Sequence, residues 1–197
     1  TLDRSSAASD VYKRQMATSS PAQVRPARPD DVAPLLALRE RVAREGIWIG
    51  TEAPVDAERE LTVFSATLDA DDRDLFVAIV YGVLVGGLGV QFTTPGVTAL
   101  GMQIDREWRG RGIGSALMDA AVAWSRAHDA HKMELQVWPH NAAAIALYEK
   151  FGFEREGYLR RHYRRRSGEL WDAIVMGLVL DTTSPGSSLH GSSTTGN

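Results

Sequence analysis

The sequence predicts a single α/β domain of the α+β kind, built on a largely antiparallel sheet with helices packed against it. Three observations lead there. Residues 75–104 hold three strand-like apolar runs divided by tight turns at Tyr81-Gly82 and Thr94-Pro95-Gly96, the pattern of an antiparallel meander. A glycine-rich turn at 109–114 then joins the third run to a long amphipathic helical pattern, which leads into an alternating strand at 132–137. The chain of 197 residues is 44% hydrophobic and 24% charged, enough for one proper core and too short for a second full domain.

Residues 1–20 are polar and without period, so they are placed outside the fold and expected to be disordered. The run from Ser5 to Gln15 looks like the translation of a sequencing-library adapter, and Met16 follows it directly. Residues 1–15 are therefore expected to be a non-native artefact. Val24 to Ala27 reads as a first strand, and Pro29-Asp30-Asp31 supplies helix-start chemistry for the stripe Val32, Leu35, Leu36, Leu38 and Val42. Gly46 ends that helix. Ile47 to Pro54 is a connector whose bulky apolar residues, Trp48 among them, are drawn toward the core, and it is expected to pack down as a lid or wall containing Trp48 and Glu52. Asp56 caps a second helix reaching about Leu68.

Strands follow at Leu75–Val80, Val83–Phe92 and Val97–Ile104. Gly86, Gly87 and Gly89 inside the second mark a bulge or a close backbone approach, because glycine otherwise weakens a strand. The helix from Ile113 to Ala127 carries Ile113, Leu117, Ala120, Ala121 and Trp124 on one face, and Met133, Leu135 and Val137 alternate along the next strand. Residues 154–164 and 170–180 close the sheet as a hairpin. The tail from 181 is rich in Ser, Thr and Gly and is expected to be disordered, which leaves 21–180 as the domain.

The turn Arg109-Gly110-Arg111-Gly112-Ile113-Gly114 is the best candidate for chemistry. Glycines let a ligand approach the backbone, and the free N–H groups of a helix start attract a phosphate or pyrophosphate. A P-loop is excluded, since no Gly-Lys-Ser/Thr follows at the required spacing. The dinucleotide fingerprint fails too: Gly110-Gly112 is followed by Ser115, and Gly112-Gly114 by Leu117. What remains is Arg-x-x-Gly-x-Gly, carried by Arg109, Gly112 and Gly114. It resembles the acyl-coenzyme A pyrophosphate loop of the GNAT superfamily of N-acetyltransferases. The stretch from Asn141 to Phe153 resembles that family's second signature, Asn-x-x-Ala-x-x-Leu-Tyr-x-x-x-Gly-Phe, and lies at the expected distance beyond an intervening strand.

The resemblance implies a mixed, mostly antiparallel seven-stranded sheet, splayed between its fourth and fifth strands and flanked by about four helices. Acetyl-CoA would lie in the gap, its pantetheine arm pairing with the backbone of Met102 and Ile104. Its pyrophosphate would rest on N–H groups of Arg109, Gly110, Arg111, Gly112, Ile113, Gly114 and Ser115, with Asn141 making a further polar contact. The implied reaction is attack of a neutral primary amine on a thioester through a tetrahedral oxyanion. Tyr148 stands at the family's position for the acid that protonates the departing thiolate. Glu52 and Glu134 are candidate general bases, with Glu45, His162 and a water chain as alternatives. The lid, the run Gly157 to Arg161 and Trp171-Asp172 look most similar to the branch acting on small molecules and amino acids. A protein N-terminal or lysine acetyltransferase and a non-catalytic coenzyme A-sensing module are the other readings.

Composition narrows the partners. A net charge of −3 and a pI near 5.9 argue against a general nucleic-acid binder, and Tyr158 and Tyr163 are too few aromatics for a basic binding face. No apolar run approaches the roughly 20 residues that cross a bilayer, so a cytoplasmic location without membrane contact is expected. Zero cysteines exclude thiolate metal sites and an acyl-cysteine intermediate, so transfer should be direct. His128 and His131 have no third ligand nearby in sequence, and no metal is expected. The cluster Arg160, Arg161, Arg164, Arg165 and Arg166 is either a solvated hairpin or a site for an acceptor carboxylate or coenzyme phosphate. An apolar strand edge near 170–180 would admit a homodimer.

Overall fold

The computed structural model describes residues 22–180, so the expectations for 1–20 and for the tail from 181 lie outside the described residues. The chain runs through β1 (Gln23–Pro26), a short 3-10 turn at Pro29–Asp31, α1 (Val32–Arg44) and α2 (Ala57–Leu68). The meander β2 (Arg73–Val80), β3 (Val83–Thr94) and β4 (Val97–Ile104) leads into α3 (Ile113–Ala127), β5 (Lys132–Val137) and α4 (Ala142–Lys150). The hairpin β6 (Glu154–Arg164) and β7 (Leu170–Val179) completes the sheet.

Local chemistry sets the helix ends. Asp31 accepts the Arg28 N–H at 2.8 Å and both Arg25 Nη atoms at 2.6 and 3.0 Å, which fixes the entrance to α1. Gly46, at φ +76°, stops the same helix in a conformation that glycine adopts without strain. Asp56 Oδ1 accepts the Arg59 N–H at 3.1 Å, and Asn141 Oδ1 that of Ala144 at 3.2 Å; each satisfies a donor the first helical turn leaves open.

The seven strands lie in the order β1-β2-β3-β4-β5-β7-β6, and β4–β5 is the parallel pair. That pair joins only through Val97↔Lys132, Thr98↔Met133 and Ala99↔Glu134. Leu100 to Ile104 have no register partner on β5, so the sheet opens as a wedge there, as the resemblance implies. The strand at 170–179 is not an edge: β7 lies between β5 and β6, where antiparallel pairing on both sides satisfies its backbone. The expectation of an exposed apolar edge there is therefore corrected, and β6 holds the edge instead.

Helices cover both faces of the β1–β4 half. Leu75 and Val77 of β2 join Leu35, Leu38, Val42 and Phe64 beneath α1 and α2. Their sequence neighbours Phe76, Ala78 and Val80 join Leu117, Met118 and Ala121 beneath α3. Two-sided burial explains why 75–80 reads as an unbroken apolar run. The β3 glycines make this sandwich thin. A Cβ at Gly87 would fall 2.7 Å from Leu35 Cδ2, and one at Gly86 would fall 3.2 Å from both Ile113 and Leu117. A bulge accompanies them, where the β2–β3 register shifts between Ala78 and Ile79. The buried face of α3 is rotated from the expected stripe: Met118 and Ser125 are buried, while Ala120 and Trp124 are half-buried. Ser125 tolerates this because its Oγ meets Thr98 Oγ1 at 3.0 Å.

Candidate active site

The wedge opens into a cleft of about 780 Å³. It is lined by Met102 and Ile104 on β4, Gly110, Gly112, Gly114 and Ser115 at the head of α3, and Asn141 and Tyr148 on α4. The connector residues Trp48 to Thr51, together with Gln136, Trp138 and Tyr163, line the same cleft.

Gly110 and Gly112 hold φ at +71° and +82°, and a Cβ on either would meet open space. Their requirement is conformational, since side chains at such φ are strained. Gly114 is needed for a different reason. Its Cβ would lie 2.9 Å from Leu147 Cδ2 and 3.4 Å from Ile104 Cδ1, so its bare backbone lets α3 approach both α4 and β4. Open N–H groups and the positive dipole end of a 15-residue helix face the cleft at this point.

The guanidinium of Arg109 is committed to protein. Nη1 and Nη2 donate to Glu45 at 2.8 and 2.6 Å, Nε donates to the Ile104 carbonyl at 3.0 Å, and the group lies 5.6 Å from the Trp48 ring. Glu45 also accepts the Trp48 Nε1–H at 2.8 Å. The hydrogen bonds from Arg109 hold the Glu45 carboxyl below its ordinary range. Arg109 thereby ties the glycine loop to the end of α1. Arg111 lies outside the cleft lining with its guanidinium 4.9 Å from the Trp108 ring, and the Ile113 side chain belongs to the core at 3% exposure.

Tyr148 is 7% exposed and lines the cleft, with its ring 5.9 Å from that of Phe153. Among the described residues its hydroxyl has no hydrogen-bond partner. Burial pushes the phenol up to about 12, so it keeps its proton throughout the neutral range.

The structure does not bring the candidate bases to this cleft. Glu52 accepts the Arg166 N–H at 2.9 and 3.3 Å and lies 3.7 Å from Arg165 Nε. Glu134 sits at the closed end of the wedge, opposite Ala99, and accepts from Thr93 Oγ1 at 3.1 Å. Glu45 is bound by Arg109, and His162 is exposed beside Tyr163. Among the described residues, the ionisable side chains lining the cleft are Arg39, Arg109, Tyr148 and Tyr163.

Sequence reasoning passed over Arg39, Gln103, Gln136 and Trp138. Gln136 carried a readable signal, since it falls on the side of β5 opposite the core residues Leu135 and Val137. Arg39 carried none: it is one of several polar residues on α1, oriented by bonds to Glu60 and Gln103. The arginine cluster divides in two. Arg160, Arg161, Arg164 and Arg166 are exposed, as the solvated-hairpin reading has it, whereas Arg165 is buried at 6% exposure and departs from that reading.

Residues 36–153 match the model of the Acetyltransferase (GNAT) family. An L-amino acid N-acetyltransferase of Escherichia coli K12 is 36% identical over 111 residues, spanning 52% of this chain and 66% of that protein. A [ribosomal protein bS18]-alanine N-acetyltransferase of the same organism is 35% identical over 83 residues, spanning 42% of this chain and 55% of the relative. The chain thus spans less than two thirds of either relative's length. A GNAT superfamily phosphinothricin acetyltransferase from Sinorhizobium meliloti, solved in complex with AcCoA, shares the fold with a TM-score of 0.74 over 87% of this chain and 97% of that one, at 20% identity. The seven-stranded sheet, its wedge between β4 and β5, the glycine loop and the matched segment agree: the chain belongs to the acetyltransferase (GNAT) family.

Proposed function

We propose that this protein transfers the acetyl group of acetyl-CoA directly to the primary amine of a small molecule such as an amino acid. One observation carries the reading: the glycine loop, Tyr148 and the aromatic residues Trp48 and Trp138 all line one cleft. Acetyl-CoA supplies the activated acyl carbonyl, and the donor end suits it. N–H groups at the head of α3 bind pyrophosphate, and the unpaired edge of β4 at Leu100–Ile104 offers backbone groups to an extended pantetheine arm. Asn141 uses its Oδ1 to cap α4, which leaves its NH2 to donate into the cleft. As the C–S bond breaks, Tyr148 gives its proton to the departing sulfur in a concerted step, because a phenol raised to about 12 is a weaker acid than a thiol, and it takes a proton back from the attacking nitrogen as that becomes the amide.

Arg39 and Arg109 line the cleft, and no carboxylate does so among the described residues. Each is paired outside the lining, Arg39 with Glu60 and Arg109 with Glu45, so the wall carries little net charge and is suited to a small acceptor of low net charge. Among the described residues the lining holds no carboxylate or imidazole to serve as a base, so the ammonium loses its proton to solvent water before the neutral amine attacks. A protein N-terminal acceptor is the second reading, favoured by the similarity to the ribosomal-protein alanine N-acetyltransferase.

Free-thiol release from acetyl-CoA, measured against amino acids, polyamines, aminoglycosides and short peptides, tests the proposal. Turnover on amino acids is the expected result. Turnover confined to peptides would establish the second reading, and thiol release with no amine would refute both.

A further inference from the structure

Two residues of the arginine cluster reach far across the sequence. The Arg165 side chain is 5% exposed, yet its guanidinium faces a chain segment more than 110 residues away. Nη1 donates to the carbonyls of Ile49 and Gly50 at 3.3 Å each, and Nη2 to that of Gly46 at 3.3 Å. The same group lies 4.4 Å from the Trp171 ring and 3.7 Å from Glu52 Oε1. Arg166 adds its backbone N–H to Glu52 at 2.9 Å, and its Nη1 to the carbonyls of Ala53 and Pro54 at 2.9 and 3.2 Å.

All of these bonds join the β6–β7 turn to the connector at 46–54. That connector forms no helix or strand, so its carbonyls need donors from elsewhere. It also lines the cleft with Trp48, Ile49, Gly50 and Thr51. A planar guanidinium with five N–H donors satisfies three carbonyls while stacking on an indole; a lysine ammonium does neither as well.

We propose that Arg165, assisted by Glu52 and Arg166, is a positioning residue for amine specificity, holding the 46–54 connector in the shape that forms the acceptor wall. This inference rests on the acetyltransferase reading above. Glu52 then serves in the clamp rather than as a proton acceptor. Arg165 bonds to the connector and not to β4, α3 or α4, and the Glu45–Arg109 pair holds the glycine loop independently of the clamp, so loosening the clamp changes the amine site more than the coenzyme site.

The test compares wild type, Arg165→Lys and Arg166→Ala. KM for the best amine and KM for acetyl-CoA come from thiol release, and amide hydrogen exchange is read without substrate. For Arg165→Lys the amine KM should rise roughly tenfold or more, as for lost hydrogen bonds to a charged group, while the acetyl-CoA KM stays within about twofold. Exchange should quicken in 46–54 and not in α3. Arg166→Ala, at an exposed site that spares the core, should shift both readouts in the same direction by less, and it keeps the test decisive if Arg165→Lys does not fold. Equal changes in both KM values, an unchanged amine KM, or unaltered exchange in 46–54 would overturn the proposal. If wild type acetylates no amine, the acetyltransferase reading fails and the specificity role with it; quickened exchange in that case would leave Arg165 only as the anchor of the loop.

Discussion

Tyr148→Phe separates catalysis from packing at this site. The hydroxyl has no protein partner among the described residues, so its removal strands no buried donor or acceptor. The ring keeps its place beside Phe153. Stability should therefore change by less than about 1 kcal/mol. Loss of the acid should lower kcat by roughly 10²–10⁴-fold, about 3–5 kcal/mol of barrier, with the acetyl-CoA KM nearly unchanged. Burial adds an alkaline signature. With the phenol pushed up to about 12 from its ordinary 10, ionisation is harder in the folded state. Below pH ~10 the phenol is neutral in both states and no stability is lost; as pH rises from there through about 12, wild type loses up to about 3 kcal/mol that Tyr148→Phe does not. Thermal unfolding of wild type should fall more steeply than that of Tyr148→Phe across this window. Thiol-release kinetics and the two unfolding curves together form the assay. A kcat within threefold of wild type, at any amine concentration, would refute the acid role.

Three further outcomes are expected. Because no carboxylate or imidazole lines the cleft among the described residues, the acidic limb of kcat/KM should move with the pKa of the acceptor amine across a series of amines; a limb fixed near one pH for all of them would reveal an enzymatic base. Gly87→Ala should cost roughly 1–3 kcal/mol in chemical denaturation, since its Cβ would sit 2.7 Å from Leu35 Cδ2 in a filled core; adding Leu35→Ala should not cost the full sum of the two single changes. Glu45→Gln should destabilise by about 1–2 kcal/mol at neutral pH, because it weakens the charged bonds that hold Arg109. The Glu45 carboxyl is lowered in the folded state, so its contribution is present above pH ~4.5 and lost as pH falls through the folded value. Wild type and Glu45→Gln should consequently converge in urea midpoint toward pH 3.

The sequence by itself determined the order of elements, the glycine turn at the head of α3 and the identity of the family. These features are local. Asp56 and Asn141 cap the helices that follow them, Gly46 stops α1, and the glycines at 110, 112 and 114 stand within one turn of α3. Periodicity marked the strands wherever one face meets the core, as in Met133, Leu135 and Val137. Tertiary structure decided what depends on contacts between distant segments. It placed β7 between β5 and β6, a choice invisible in a hairpin whose two strands are both adjacent in sequence. It also sorted the carboxylates: Glu45, Glu52 and Glu134 look alike along the chain, and each is claimed by a partner 41 to 114 residues away. The arginine cluster divided for the same reason. An arginine in a turn reads as solvated charge until another segment brings carbonyls and an indole to cover it, and only the fold carries the 46–54 connector to Arg165.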